Sequence, residues 1–242
     1  MFLTLRIRKS AALALTLLFF LLAALMLHGS RSIAVFHTQS AEKTVYVLDA
    51  GHGGEDGGAV SEEGVRESDI NLSVTLRLDA LLRFLGRDTV LTRTGDAAIY
   101  SSEAQTIREK KVSDLKNRVA IVNSTPGAVL VSIHQNSLPS VPGVHGAQAF
   151  YGMEPLGDTL AASVQEALNQ GVNINNAKHE KLISSTIYLM KNVKCPAVLV
   201  ECGFMSNRDE SVRLLDGDYQ RRLATAIAAG LLNAKETESD AA

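Results

Sequence analysis

The sequence predicts an α/β domain with a twisted, largely parallel sheet that carries helices on both faces. Strand-like runs such as TVYVLD (44–49) and AVLVSIH (128–134) alternate with amphipathic helical segments along most of the chain, a pattern typical of helix-covered parallel sheets. The length of 242 residues suffices for one such domain with short appended segments. Ligands of such folds gather at the carboxyl ends of the strands, so functional residues are expected at that edge.

Hydrophobic periodicity places the individual elements. The first strand occupies 44–49, and the segment 68–86 repeats apolar residues at helical spacing until Gly86 ends it. The other predicted elements are, in order, a strand at 88–93, a helix at 113–124, strands at 128–134 and 146–151, a helix at 156–170, strands at 186–190 and 196–201, and a helix at 219–234. Residues 94–111 show no clear period, and a regulatory flap, a substrate wall and a simple long loop all remain open for them.

The amino terminus indicates export. Three basic residues precede an apolar run at 11–27, which is long for the roughly 7–15-residue core of a signal peptide and barely reaches the roughly 17–25 residues of a membrane span. Residues 1–27 are therefore predicted to be a signal-anchor or a signal peptide. The anchor is favoured because the small-x-small cleavage pattern of Ser32 and Ala34 is weak. The folded domain is expected on the extracytoplasmic side of the membrane.

Composition divides the rest of the chain into three parts. Residues 28–43 lose the apolar density and predict a stalk, 44–233 form the folded domain, and 234–242 form a polar tail of disordered composition.

The net charge of −2 supplies no basic field for a polyanion, which argues against nucleic acid as a partner. Cys195 and Cys202 bracket a predicted strand of about 23 Å, too long for a disulfide between them, so both are predicted to be buried free thiols.

Four residues that can carry chemistry fall at the predicted functional edge. His52 follows the first strand within the glycine-dense DAGHGGEDGG, His134 ends AVLVSIH, and Glu201 ends PAVLVE. Glu67 stands just before the first helix, whose amino end faces the same edge. Taken singly, the histidines could be turn residues and Glu67 a carboxylate that interacts with the helix dipole. Their convergence favours a common site.

Two histidines and one carboxylate are a catalytic zinc set that leaves a fourth position for water. A second carboxylate would then serve as general base. Other readings compare poorly, because the chain has neither the glycine spacing of phosphate-binding loops, nor a G-x-S-x-G elbow, nor an H-E-x-x-H pair. His28, His37, His145 and His179 have no carboxylate pattern nearby and are interpreted as surface residues.

Four motifs in order resemble those of the zinc-dependent N-acetylmuramoyl-L-alanine amidase family of the third amidase type. They are VLDAGHGGEDGGA, VRESDINL, VSIHQNS and PAVLVECGFMSN, and the resemblance extends from about Val45 to Leu232. It implies one Zn²⁺ ion held by His52, Glu67 and His134, with Glu201 as the catalytic carboxylate. It also implies hydrolysis of the amide between the lactyl group of N-acetylmuramic acid and L-alanine in peptidoglycan.

Within that family, Gln135 and the segments GAQAFY and LMKNVKCPAVLVECGFMSN are most similar to the germination-specific spore cortex amidases of spore-forming bacteria. This similarity implies removal of stem peptides from cortex glycan in the forespore space, after which a separate peptidoglycan deacetylase allows muramic δ-lactam to form. An accessory activating protein is compatible with this reading. Two alternatives stay open, a vegetative autolysin of the same chemistry and a non-catalytic wall-binding domain.

Two further residues are candidates for substrate binding. Asn136 could position substrate or orient a ligand, with turn capping as the alternative. Arg118, on the predicted helix 113–124, could contact an anionic substrate, with a solvated helix charge as the alternative.

Overall fold

The computed structural model describes residues 43–239. The predicted segment 1–27, the stalk up to residue 42 and the last three residues of the polar tail lie outside the described residues. Within residues 43–239, no helix combines the length and the apolar character needed to cross a membrane.

The described residues form one α/β domain. Its strands are β1 (Val45–Ala50), β2 (Asp88–Leu91), β3 (Ala128–Asn136), β4 (Gln148–Tyr151), β5 (Lys181–Leu182) and β6 (Ala197–Phe204). Its helices are α1 (Glu67–Phe84), α2 (Ile107–Asn123), α3 (Gly157–Gly171), α4 (Tyr188–Asn192), α5 (Arg208–Leu215) and α6 (Gly217–Ser239).

The six strands form one sheet in the order β2-β1-β3-β6-β4-β5. Strands β2, β1, β3 and β6 run parallel to one another, and β4 pairs antiparallel with β6 and parallel with β5. The predicted largely parallel sheet is thereby confirmed. The chain leaves β1 toward β2 on one side and later returns to place β3 on the other, so the carboxyl ends of β1 and β3 flank a topological switch point.

Helices cover both faces of the sheet. Alternate residues of β1 and β3, such as Leu48 and Val131, pack in one core against α1, α3 and α6. The intervening residues, such as Val47 and Leu130, pack in a second core against α2 and α4. Because side chains alternate across a strand, Asp49, Ser132 and His134 lie on the face that α2 and α4 cover.

Several predicted elements need correction. TIYLM at 186–190 is not a strand, because Leu189, Met190 and Val193 enter the second core together at helical spacing, and α4 spans Tyr188–Asn192. Helix α2 begins at Ile107 rather than 113, because Thr106 and Glu109 form a capping box. Helix α6 continues through Ser239, into the tail predicted to be disordered.

Two short elements were not predicted, α5 and β5. The sequence does indicate where α5 starts, because Asn207 is a typical N-cap residue and its side chain accepts a hydrogen bond from the backbone N–H of Glu210. Strand β5 has only two residues. Both cysteines are free as predicted, with Cys202 buried and Cys195 half-buried.

Candidate active site

The four candidate residues converge at the carboxyl edge of the sheet. His52 follows β1, His134 lies near the end of β3, and Glu201 lies in β6 directly opposite His134 in the strand register. Glu67 is the first residue of α1, where its carboxylate also faces the positive end of the helix dipole. His52, His134 and Glu201 line one cavity of about 330 Å³ between the sheet and helices α2 and α4.

Three of these side chains form a cluster that can hold a metal ion. One donor atom from each of His52, Glu67 and His134 lies within 4.8 Å of the other two. Oε1 of Glu67 is 3.3 Å from Nε2 of His52 and 3.0 Å from Nδ1 of His134. The two imidazoles meet edge to face with centroids 5.1 Å apart. This donor set of two histidines and a carboxylate is one that zinc takes in hydrolytic sites.

Asp56 orients His52 within this cluster. Its Oδ2 lies 3.0 Å from Nδ1 of His52, which leaves Nε2 directed at Glu67. A carboxylate behind a ligand imidazole is the usual second partner of a metal-bound histidine. Although burial opposes it, hydrogen bonding to Asp56 and Glu67 raises the pKa of His52 to about 9. The same hydrogen bond holds the pKa of Asp56 well below its usual range.

The protein fixes both oxygens of Glu67. Its Oε2 accepts a hydrogen bond from the backbone N–H of Ala59. Its Oε1 accepts hydrogen bonds from the backbone N–H of Gln135 and from the side-chain amide of Asn71. Burial works against ionisation, yet hydrogen bonds to His134 and His52 hold the pKa of Glu67 far below its usual range. The carboxylate is therefore ionised and oriented at neutral pH.

Two glycines provide the space in which the cluster fits. A Cβ on Gly51 would lie less than 3.0 Å from three ring atoms of His134, and a Cβ on Gly58 would collide with Glu67 and His52. Gly58 also has a φ of +68°, in the left-handed region that favours glycine. The glycine-dense sequence around His52 thus allows close approach of backbone to the ligand side chains.

Glu201 differs from Glu67 in having a free oxygen. Its Oε2 is buried and has no hydrogen-bond partner among the described residues. Burial is the main reason why the pKa of Glu201 is raised to about 7, and repulsion from the Glu67 carboxylate adds to this effect. Attraction to the two histidines acts in the opposite direction. A carboxyl group with that pKa, facing a cavity beside a cluster that can hold a metal ion, is suited to accept and return a proton near neutral pH.

The structure places Arg118 beneath the cluster, and the alternative of a solvated helix charge is wrong. The side chain is 2% exposed. Its Nε donates to Asp114, its Nη1 to Asp49 and the Ala50 carbonyl, and its Nη2 to the His52 carbonyl and again to Asp114. All five N–H donors are thus bonded within the protein. The side chain also lines the cavity, so its contact with an anionic substrate stays a prediction.

Asn136 does not join the cluster in the described contacts. Its side-chain oxygen accepts a hydrogen bond from the backbone amide of the next residue, Ser137, 2.8 Å away, so its substrate-binding and turn-capping roles both stay predictions. Asp56 and Asn71, in contrast, contact His52 and Glu67 of the cluster and were not predicted. Asn71 had a readable signal, because it follows Glu67 by four residues on one helix face.

Comparisons with known proteins agree with this geometry. The chain matches the family described as N-acetylmuramoyl-L-alanine amidase over residues 47–233. It is 35% identical over 191 residues to the germination-specific N-acetylmuramoyl-L-alanine amidase of Bacillus subtilis, covering 78% of each chain.

Solved structures are similar as well. The CwlD amidase of Clostridioides difficile, solved in complex with the GerS lipoprotein, superposes with a TM-score of 0.77 at 36% identity, over 81% of this chain and 100% of that one. The amidase AmiC2 of Nostoc punctiforme gives a TM-score of 0.65 at 32% identity, over 80% of this chain and 97% of that one.

Proposed function

We propose that this chain, which belongs to the N-acetylmuramoyl-L-alanine amidase family, uses one zinc ion to separate stem peptides from spore cortex glycan. The amidase reaction follows from the family, and the bond cleaved is the amide between the lactyl group of N-acetylmuramic acid and L-alanine. The proposal of zinc depends chiefly on one observation, the cluster of His52, Glu67 and His134 within 4.8 Å beside the unpartnered carboxylate oxygen of Glu201.

The residues of the site divide into three proposed metal ligands and one proposed general acid–base residue. His52, Glu67 and His134 would hold the metal, and Asp56 would keep His52 in the required tautomer. Zinc bound there would supply Lewis acidity toward the scissile carbonyl and toward a water molecule. Glu201 would take the proton of the attacking water and pass it to the nitrogen of L-alanine as the C–N bond breaks. The products are a lactyl carboxylate and a stem peptide with a free alanine amino terminus.

The cortex role is supported by the relatives. The Bacillus subtilis relative is named as germination-specific, and it covers the same catalytic region at 35% identity. In this role the enzyme strips muramic acid of its peptide, and a separate peptidoglycan deacetylase then permits δ-lactam formation. The apolar segment at 11–27 would place the domain on the extracytoplasmic side of the membrane, anchored in the forespore space. Because the similar Clostridioides difficile amidase was solved with a lipoprotein, we extend the proposal to an accessory lipoprotein partner.

The test of the chemistry uses the full-length chain with purified peptidoglycan. Zinc-loaded protein should produce equal numbers of lactyl carboxylates on the muramic acid residues and of new alanine amino termini on the stem peptides. Metal-stripped protein should release neither, and added zinc should restore both. New amino termini other than alanine would refute the assignment of the cleaved bond. Undiminished activity of the metal-stripped protein would refute the requirement for a metal ion.

The biological role is tested separately. Deletion of the gene in its host should give spores whose cortex lacks muramic δ-lactam, with normal vegetative division. Spores with normal δ-lactam and cells that fail to separate would instead identify a vegetative autolysin.

A further inference from the structure

Two buried arginines hold the backbone of the turn that carries His52. The Ala50 carbonyl accepts hydrogen bonds from Nε of Arg93 and Nη1 of Arg118, at 2.9 and 2.7 Å. The Gly51 carbonyl accepts from Nη2 of Arg93, and the His52 carbonyl accepts from Nη2 of Arg118. Three consecutive carbonyls are thus bound by two guanidinium groups, which we call the arginine clamp.

The conformation of this turn explains why such support matters. His52 has a φ of 61°, and Gly53 and Gly54 follow with φ values of 137° and 59°. A left-handed conformation is unfavourable for a residue with a side chain and persists only where the surroundings impose it. Because the chain leaves β1 at this turn, these carbonyls lack hydrogen-bond partners on the neighbouring strands. The arginine N–H groups supply the hydrogen bonds instead.

The clamp also links His52 to Glu67. Nη2 of Arg93 donates to the Ser68 carbonyl in the first turn of α1, directly after Glu67. Asn71 completes the link, because its amide donates both to the Gly51 carbonyl and to Oε1 of Glu67. Two of the three metal-holding side chains are therefore tied to the same pair of guanidinium groups.

Stability of the fold alone is a poor explanation for this arrangement. Arg93 and Arg118 are 4% and 2% exposed, and burying a charged group is costly. Arg118 is compensated by Asp49 and Asp114, but the four hydrogen bonds of Arg93 in the described part of the chain all go to backbone carbonyls. Apolar replacement of a buried ion pair is often neutral or stabilising, so the presence of these two buried guanidinium groups fits a geometric task.

We propose that Arg93 and Arg118 are positioning residues that preorganise His52 and Glu67 for metal binding before any metal arrives. The proposal depends on the proposed metal site. It predicts that each arginine acts through geometry and not through its charge alone. Lysine retains the charge but lacks the planar fork of donors, so Arg93→Lys and Arg118→Lys isolate that geometry.

The experiment compares both lysine variants with Arg77→Lys in the full-length chain. Arg77 is a matched control, because its guanidinium also donates to a backbone carbonyl, that of Ser73, but within α1 and away from the turn. In the metal-free clamp variants, hydrogen exchange should accelerate at the amides of Gly51, Gly53 and Gly54. Their zinc dissociation constants, measured by chelator competition, should rise about 10–100-fold, while Arg77→Lys should match the wild type in both measurements.

A purely structural role gives a different result. Lysine variants that lose thermal stability but keep wild-type exchange at the turn and wild-type zinc affinity would overturn the proposal. If the variants do not fold, nitrogen-15 spectra of arginine side chains in the metal-free wild-type chain decide. Slow solvent exchange at Nε of Arg93 and at the Nη groups of Arg118, compared with the same groups of Arg77, supports the clamp, and equal rates refute it. If the wild-type chain binds no zinc, the proposed metal site fails, whereas the metal-free measurements still report on the clamp.

Discussion

His134 and Glu201 occupy directly paired positions on the adjacent parallel strands β3 and β6. Neighbouring strands lie about 4.8 Å apart, and paired residues project to the same face of the sheet. The side chain proposed to hold the metal and the proposed proton carrier are therefore placed by the backbone ladder and not by a loop. The register shifts between His134 and Asn136, and pairing resumes with Asn136 opposite Phe204, so the irregularity lies just beyond the site.

This pairing predicts that Glu201→Gln removes proton transfer and leaves the metal cluster in place. Glutamine has nearly the same shape, but it cannot accept the proton of water, so kcat should fall about 10²–10⁴-fold. The release of alanine amino termini from peptidoglycan measures the activity, and the zinc content of the purified protein measures the cluster. Full activity of the variant, or loss of its zinc, would contradict the assigned role.

Asp56→Asn should weaken metal binding through His52. The carboxylate 3.0 Å from Nδ1 orients the imidazole and increases its basicity, and an amide does this less well. Zinc affinity should fall about 10–100-fold, as measured by chelator competition. Asp158→Asn is the control, since Asp158 is an exposed carboxylate in the first turn of α3. Equal zinc affinities of the two variants would show that Asp56 has no such role.

The sheet and the four residues at its edge could be predicted because both depend on local patterns. Apolar runs defined β1, β3 and β6, and the rule for parallel sheets placed His52, His134 and Glu201 together. The burial of Arg118 could not be predicted, because its partner Asp49 is 69 positions away in the chain. TIYLM was ambiguous for a related reason, since a short apolar run does not distinguish a strand from a buried helical turn.

Gly51→Ala should disrupt the cluster by displacing His134. The new methyl group would lie less than 3.0 Å from three atoms of the imidazole, whose Nδ1 is hydrogen-bonded to Glu67. The ring must move, so zinc affinity should fall at least about 10-fold, with a loss of about 1–3 kcal/mol in the free energy of unfolding. Zinc titration and urea unfolding measure the two effects.

The control for this substitution is Gly143→Ala. A Cβ at Gly143 meets no atom within 4 Å, so both quantities should stay at their wild-type values. A Gly51→Ala protein that binds zinc as tightly as Gly143→Ala would show that the backbone does not need to approach His134 so closely.

The raised pKa of Glu201 predicts a pH-dependent difference in stability between metal-free wild type and metal-free Glu201→Gln. Burial raises the pKa of Glu201 in the folded state from 4.5 to about 7, so between these values the folded chain binds more protons than the unfolded chain. This carboxyl group therefore lowers stability progressively as the pH rises from about 4.5, and the loss is complete above about pH 7. Glutamine does not titrate, so the stability of the variant relative to wild type should increase by about 3 kcal/mol over that range. Urea unfolding of both proteins at pH 5 and pH 8 measures the difference. A difference that is constant or has the opposite sign would show that folding does not raise the pKa of Glu201.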